Sequence, residues 1–143
     1  GVNRTIDGGA SRDLRIGGSG AYAVQSVRFV PGSAQDVFIG ASSLGVFNSG
    51  DGGDDFSGSS NGISELSLYS VAASPVDPQQ LAAAFQGNNN GGACSSADGG
   101  ATWKLESAPP TRYSQVGFSP AAICCPGIHQ RDTSCGRAGS RMS

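Results

Sequence analysis

The sequence predicts an all-β chain built from repeated four-stranded antiparallel units, the blades of a β-propeller. Three observations carry the prediction. An aspartate-centred turn recurs along the chain, and a serine–proline marker recurs in phase with it. Between them, short alternating apolar runs are bounded by Gly-rich turns, and long helical periodicity is absent.

The clearest turn reads SADGGATW, from Ser96 to Trp103. Gly reaches positive φ without a Cβ clash, and a short Asp side chain can accept from nearby backbone N–H groups. Thr102 and Trp103 then restart an extended strand. The pattern returns as SGDGGDDF around Asp51 and as TIDGGASR around Asp7. Asp7, Asp51 and Asp98 stand 44 and 47 residues apart. Ser26-Val27 with Pro31, Ser70-Val71 with Pro75, and Ser114 with Pro120 place their serines 44 apart each time. The three extra residues of the longer step fall in the loop Gln86–Gly91. A period of about 40–50 residues made of short strands is the signature of four-stranded propeller blades.

In that register, residues 10–16 form the outermost strand of a first, truncated blade. The second blade has strands near 24–30, 36–41 and 44–49, with a weak one after Asp55. The third has strands near 67–73, 80–86, 91–96 and 101–106. Tyr113–Ser119 opens a fourth, and Ala121–Cys125 could supply its second strand. The expected organisation is therefore propeller over 1–120, divided near 1–23, 24–66, 67–112 and 113–120, then an unpatterned tail over 121–143. About two complete and two partial blades cannot close a ring, because propellers use about four to eight. The chain is expected to belong to a larger propeller or to a ring of several copies, with further blades or self-association covering its edges.

Ser96–Trp103 resembles the Asp box, S/T-x-D-x-G-x-T-W, of the bacterial neuraminidase repeat (BNR) superfamily. Leu68–Pro75 followed by Asp77-Pro78 resembles the segment that opens a blade in sortilin-like, xyloglucanase-like and photosystem-assembly-factor-like members. The resemblance spans roughly residues 5 to 120. The Asp51 box departs from it with Asp55 for Thr and Phe56 for Trp, and the Asp7 box has Arg12 where the aromatic belongs. The resemblance implies an architectural role for Thr5, Asp7, Gly9, Ser49, Asp51, Gly53, Phe56, Ser96, Asp98, Gly100, Thr102 and Trp103. The Asp would bond turn amides and the Trp would wedge into neighbouring packing. It also implies that ligands bind on the opposite face, on loops 41–45, 58–65, 86–92 and 107–112. There Asn88, Asn89, Asn90, Glu65 and Arg112 are candidate polar contacts, and Tyr69 and Tyr113 are candidate stacking faces.

The resemblance admits three function classes: a glycan-binding module, a fragment of a secreted xyloglucanase- or sialidase-like glycoside hydrolase, and a protein-assembly scaffold. Fold does not choose among them. A glycan-binding or scaffold segment is the first expectation, with an extracellular or periplasmic setting. Sialidases of the superfamily need an arginine triad beginning in an R-I-P motif, from which Arg15-Ile16-Gly17 departs. A glycosidase also needs two carboxylates at a set separation. Outside the boxes the carboxylates are Asp13, Asp36, Glu65, Asp77, Glu106 and Asp132, and only Glu65 falls on the expected binding rim.

Composition narrows the rest. The 143 residues carry a net charge of −2 with 14% charged residues, and eight Arg and one Lys are scattered without a stripe that would track phosphates. Nucleic acid is not expected as a partner. No run of about 20 apolar residues exists, so no membrane-spanning helix is expected. Cys94, Cys124, Cys125 and Cys135 lack zinc-site spacing, and His129 is the one histidine, so no metal or cofactor is expected. Adjacent Cys124 and Cys125 do not favour bridging each other, and the redox state of the four stays open.

Overall fold

Strands form where the alternating apolar runs lie. The computed structural model describes residues 1–16, 23–64, 66–86, 91–106, 116–119 and 122–124. Among them there is no helix. A first hairpin joins β1 (Val2–Arg4) to β2 (Asp13–Ile16). Next come β3 (Val24–Phe29), β4 (Val37–Ala41), β5 (Gly45–Ser49) and β6 (Ser57–Gly58), in that spatial order. A second sheet repeats the design with β7 (Leu68–Ala73), β8 (Leu81–Gln86), β9 (Gly91–Ser96) and β10 (Lys104–Leu105). A last hairpin pairs β11 (Gly117–Ser119) with β12 (Ala122–Cys124). Every pairing is antiparallel between sequential neighbours, so each four-stranded sheet is a meander. These are β-propeller blades. β12 falls within Ala121–Cys125, the stretch that could supply the fourth blade's second strand; Ala121 and the tail from Cys125 on are outside the described residues.

The middle strands hold the core. β4 and β8 are buried almost throughout, because a sheet stacked between neighbours is apolar on both faces. Val30, Phe38 and Val46 of the first complete blade pack with Val71, Leu81, Ala83, Phe85 and Trp103 of the next. Each such fully buried aliphatic side chain contributes about 1.5–3 kcal/mol. The following seam is built from smaller groups: Ala72, Ala82 and Ala84 meet Val116, with Phe118 packed alongside. Close approach is possible where Gly40 faces the next blade, since a Cβ there would lie 3.1 Å from Val71 Cγ2. A hydrogen bond also crosses this seam. The backbone N–H of Val71 donates to Ser26 Oγ at 2.9 Å.

The fourth strands are much shorter than the alternation suggests. Residues 101–103, read as strand, instead close the turn on Asp98 and carry Trp103 inward, so that β10 keeps two residues. Short outer strands leave little unpaired edge for another chain to pair with.

Candidate binding cleft

The three aspartate turns share one hydrogen-bond scheme. In each, a hydroxyl two residues before the Asp donates to its Oδ1, at 2.7 Å from Thr5 and Ser49 and 2.8 Å from Ser96. The same hydroxyl oxygen accepts the N–H of the second glycine: Gly9 at 2.8 Å, Gly53 at 2.7 Å and Gly100 at 2.9 Å. Oδ1 then accepts the N–H four residues on, from Ser11, Asp55 and Thr102. The paired glycines take positive φ in all three, 66° and 88° at Gly99 and Gly100, and the second glycine's N–H is the one turned in to the hydroxyl. In the first and third turns the outer oxygen also accepts a hydroxyl, from Ser11 and from Thr102. Asp55 has no hydroxyl, and there Asp51 Oδ2 takes only the Asp55 N–H, at 3.2 Å.

These bonds stabilise the ionised carboxylates. The Thr102 hydroxyl, then the Thr102 N–H and Ser96, hold Asp98 down at about 2. Asp7 is also held well below the usual carboxylate range, chiefly by the Ser11 hydroxyl and N–H, and Asp51 is lowered with the Ser49 hydroxyl leading. A carboxylate that stays ionised at neutral pH, with its oxygens taken up by its own turn, is a poor general acid.

The turns are also fastened to their surroundings. Gly52 N–H donates to Gln35 O at 2.8 Å and Gly99 N–H to Gln79 O at 2.9 Å, so each turn is tied to its own blade's first-to-second strand loop. Asp36 and Asp77 sit in those loops, hydrogen-bonded to Ser33 and to the Gln79 N–H. Asp54 pairs with Arg4 and lies 3.1 Å from Arg15 Nη2, which ties the first hairpin to the second turn. The residue five after each Asp is exposed as Arg12, half-buried as Phe56 and buried as Trp103.

Asn88, Asn89, Asn90, Glu65, Arg112 and Tyr113 lie outside the described residues. Tyr69 is described, on β7, and is 39% exposed. It lines a polar cleft of about 440 Å³ formed by residues 25–28 of β3, Tyr69 and Ser70 of β7, and Val116 just before β11. These are the opening strands of successive blades, packed side by side.

Of the residues lining this cleft only Tyr69 was among the candidates read from sequence; Gln25 and Arg28, its amide and its cation, were not. The geometry explains Gln25. The pairing of β3 with β4 steps from Val24↔Ala41 to Ser26↔Gly40, so Gln25 is the extra residue of a β-bulge. β7 does the same against β8, from Leu68↔Phe85 to Ser70↔Ala84, which makes Tyr69 the extra residue. A bulge leaves its extra residue out of the ladder and re-aims the side chain. Gln25 and Tyr69 are 44 residues apart, as are Ser26 and Ser70. The repeat phase was thus the signal available in the sequence. Arg28 Nη1 donates to its neighbour's carbonyl, Val27 O, at 3.0 Å, and among the described residues it makes no ion pair.

No protein-family model matches the chain, and no curated protein matches it by sequence. Among solved structures it is similar to the crystal structure of an ancestral GH74 enzyme, at 21% sequence identity and a TM-score of 0.56. The match covers 68% of this chain and 15% of that one, so the chain corresponds to a small part of the enzyme's length. That likeness concerns the fold.

The cleft offers an aromatic face, amide and hydroxyl groups that both donate and accept, and one cation. No carboxylate lines it among the described residues. Nor is there a group of three His, Cys, Asp or Glu placed to hold a metal ion among them. Cys94 is buried and unbridged, and burial, with Glu106 nearby, pushes its thiol up to about 11, which keeps it un-ionised and inert at neutral pH. No helix among the described residues is long and apolar enough to cross a membrane.

Proposed function

We propose that this chain is a carbohydrate-binding segment of an Asp-box β-propeller, with saccharide seated on the opening strands at Gln25, Arg28 and Tyr69. The observation that carries the reading is the repeated bulge. Two successive blades spend a ladder position to turn Gln25 and Tyr69 out beside one another's strand. Sugar rings present a flat apolar face and a rim of hydroxyls, which suit a Tyr ring with amide and hydroxyl partners around it. The fold likeness to a GH74 enzyme, a β-propeller glycoside hydrolase, supports a glycan as the ligand class. Glycoside hydrolysis uses a pair of carboxylates flanking the bond, and the cleft supplies none from its described residues. Binding is therefore the reading for this segment, in an extracellular or periplasmic setting where polysaccharides are met.

The test is calorimetric titration of the purified chain with a panel of neutral and acidic oligosaccharides. At least one is expected to bind, and Tyr69→Ala is expected to weaken it about tenfold or more, or about 1.4 kcal/mol. The melting temperature should hold, because the ring is partly exposed. Binding that survives both Tyr69→Ala and Gln25→Ala contradicts the proposal.

A further inference from the structure

We infer that the cleft selects acidic saccharides, with Arg28 holding the carboxylate of a uronic-acid residue; this rests on the carbohydrate reading above. The charge balance of the cleft points to it. Among the described residues Arg28 is the one charged side chain lining it, and no Asp or Glu of theirs lines it or pairs with Arg28. The cations elsewhere are treated differently: Arg4 and Arg15 both close on Asp54. Arg28 Nη1 donates to Val27 O, but no carboxylate among the described residues neutralises the guanidinium; its remaining N–H donors at the open polar cleft are free for a ligand and suit a carboxylate.

The surrounding groups suit a sugar that carries the acid. Ser26 Oγ accepts the Val71 N–H, which fixes the oxygen and leaves the hydroxyl proton to donate. Gln25 and Tyr69, set out by their bulges, can meet the hydroxyls and the ring face. A small inorganic anion would use Arg28 alone. A uronic acid uses Arg28 together with the neutral groups on both strands. Charge-assisted hydrogen bonds are roughly twice as strong as neutral ones, so the acid should dominate selectivity.

The experiment compares three probes on the full chain: a galacturonic-acid hexamer, its methyl ester and a xyloglucan oligosaccharide. The hexamer and its ester differ chiefly in charge. The free acid is expected to bind about tenfold or more tighter than the ester, an advantage that shrinks as salt rises. Arg28→Gln should remove that preference, about tenfold or more on the acid and little on the ester, and Arg28→Lys should restore only part of it. Arg28 is exposed, and an unchanged melting temperature in each variant keeps the comparison clean. Equal binding of acid and ester overturns the acidic preference and leaves the carbohydrate reading standing. Failure of all three probes to bind overturns both. A poly-glutamate peptide that binds as tightly as the hexamer overturns the assignment to a sugar.

Discussion

The indole Nε1 of Trp103 donates to the carbonyl oxygen of Ser59 at 2.7 Å, across the seam between two blades. The Trp103 backbone N–H reinforces it by donating to Asn61 O at 2.8 Å, and Ser59 Oγ donates to Gly100 O at 2.5 Å. Ser60 completes the join from the other side, where its hydroxyl both accepts the Val46 N–H and donates to Val46 O. The turn around Asp98 is thus a clip that holds a blade to the segment leaving the previous one.

Trp103→Ala should therefore be severe. Trp103 is 5% exposed and packs in the main core, so truncation is expected to cost about 3–5 kcal/mol. Trp103→Phe should keep much of the packing while leaving Ser59 O short of a donor, at about 1–3 kcal/mol. Urea unfolding of the two variants checks the ordering, and equal losses would contradict a separate role for the indole N–H.

Acid should loosen the aspartate turns. The folded-state values of Asp7, Asp51 and Asp98 are all depressed, with Asp98 at about 2, against about 3.9 in an unfolded chain. A depressed carboxylate stabilises the fold above its unfolded value, and the contribution is lost as pH falls through the folded one. The melting temperature should hold from pH 7 to about 5 and decline between about pH 4 and 2. Asp98→Asn should start lower and decline less steeply. A curve flat from pH 6 to pH 2 would contradict the scheme.

Gly9 and Gly100 occupy the same place in their turns and separate backbone strain from packing. Both have positive φ, 98° and 88°. A Cβ on Gly9 meets open space, whereas on Gly100 it would lie 2.8 Å from Phe38 Cε1 and 2.9 Å from Ser59 Oγ. Gly9→Ala is expected to cost about 1–2 kcal/mol of strain, and Gly100→Ala about 1–3 kcal/mol more for overpacking. Thermal melts of the pair give the difference directly.

Ser26→Ala removes the side-chain acceptor that bridges the seam between β3 and β7, leaving the Val71 N–H unpaired. A loss of about 1–3 kcal/mol is expected. Hydrogen exchange should quicken at Val71 more than at Leu81, which is equally buried in the same core but does not bond to Ser26. Uniform quickening at both would mean that the bond is not local to the seam.

Much of the fold was legible because the repeat is written in residues with strong local meaning. Asp-Gly-Gly sets a turn; Thr or Ser before it, and Ser or Thr after it in the first and third copies, supply the hydroxyls that fill the carboxylate. The strand register was less legible. A bulge is a relation between two strands, and nothing in Val24-Gln25-Ser26 alone reveals that β4 skips Gln25. Arg28 was read only as one of several scattered cations, since its isolation from carboxylates is a property of the folded arrangement. The outer strands were overestimated because Trp103, read as strand, turns inward to the previous blade instead.

Backbone amide shift mapping during titration with an oligosaccharide that binds tests the central claim most directly. The account predicts the largest perturbations at Gln25–Arg28 and at Tyr69 and Ser70, with the glycine amides of the three aspartate turns unmoved. Perturbations centred on Gly9, Gly53 and Gly100, with Gln25 and Tyr69 silent, would contradict it.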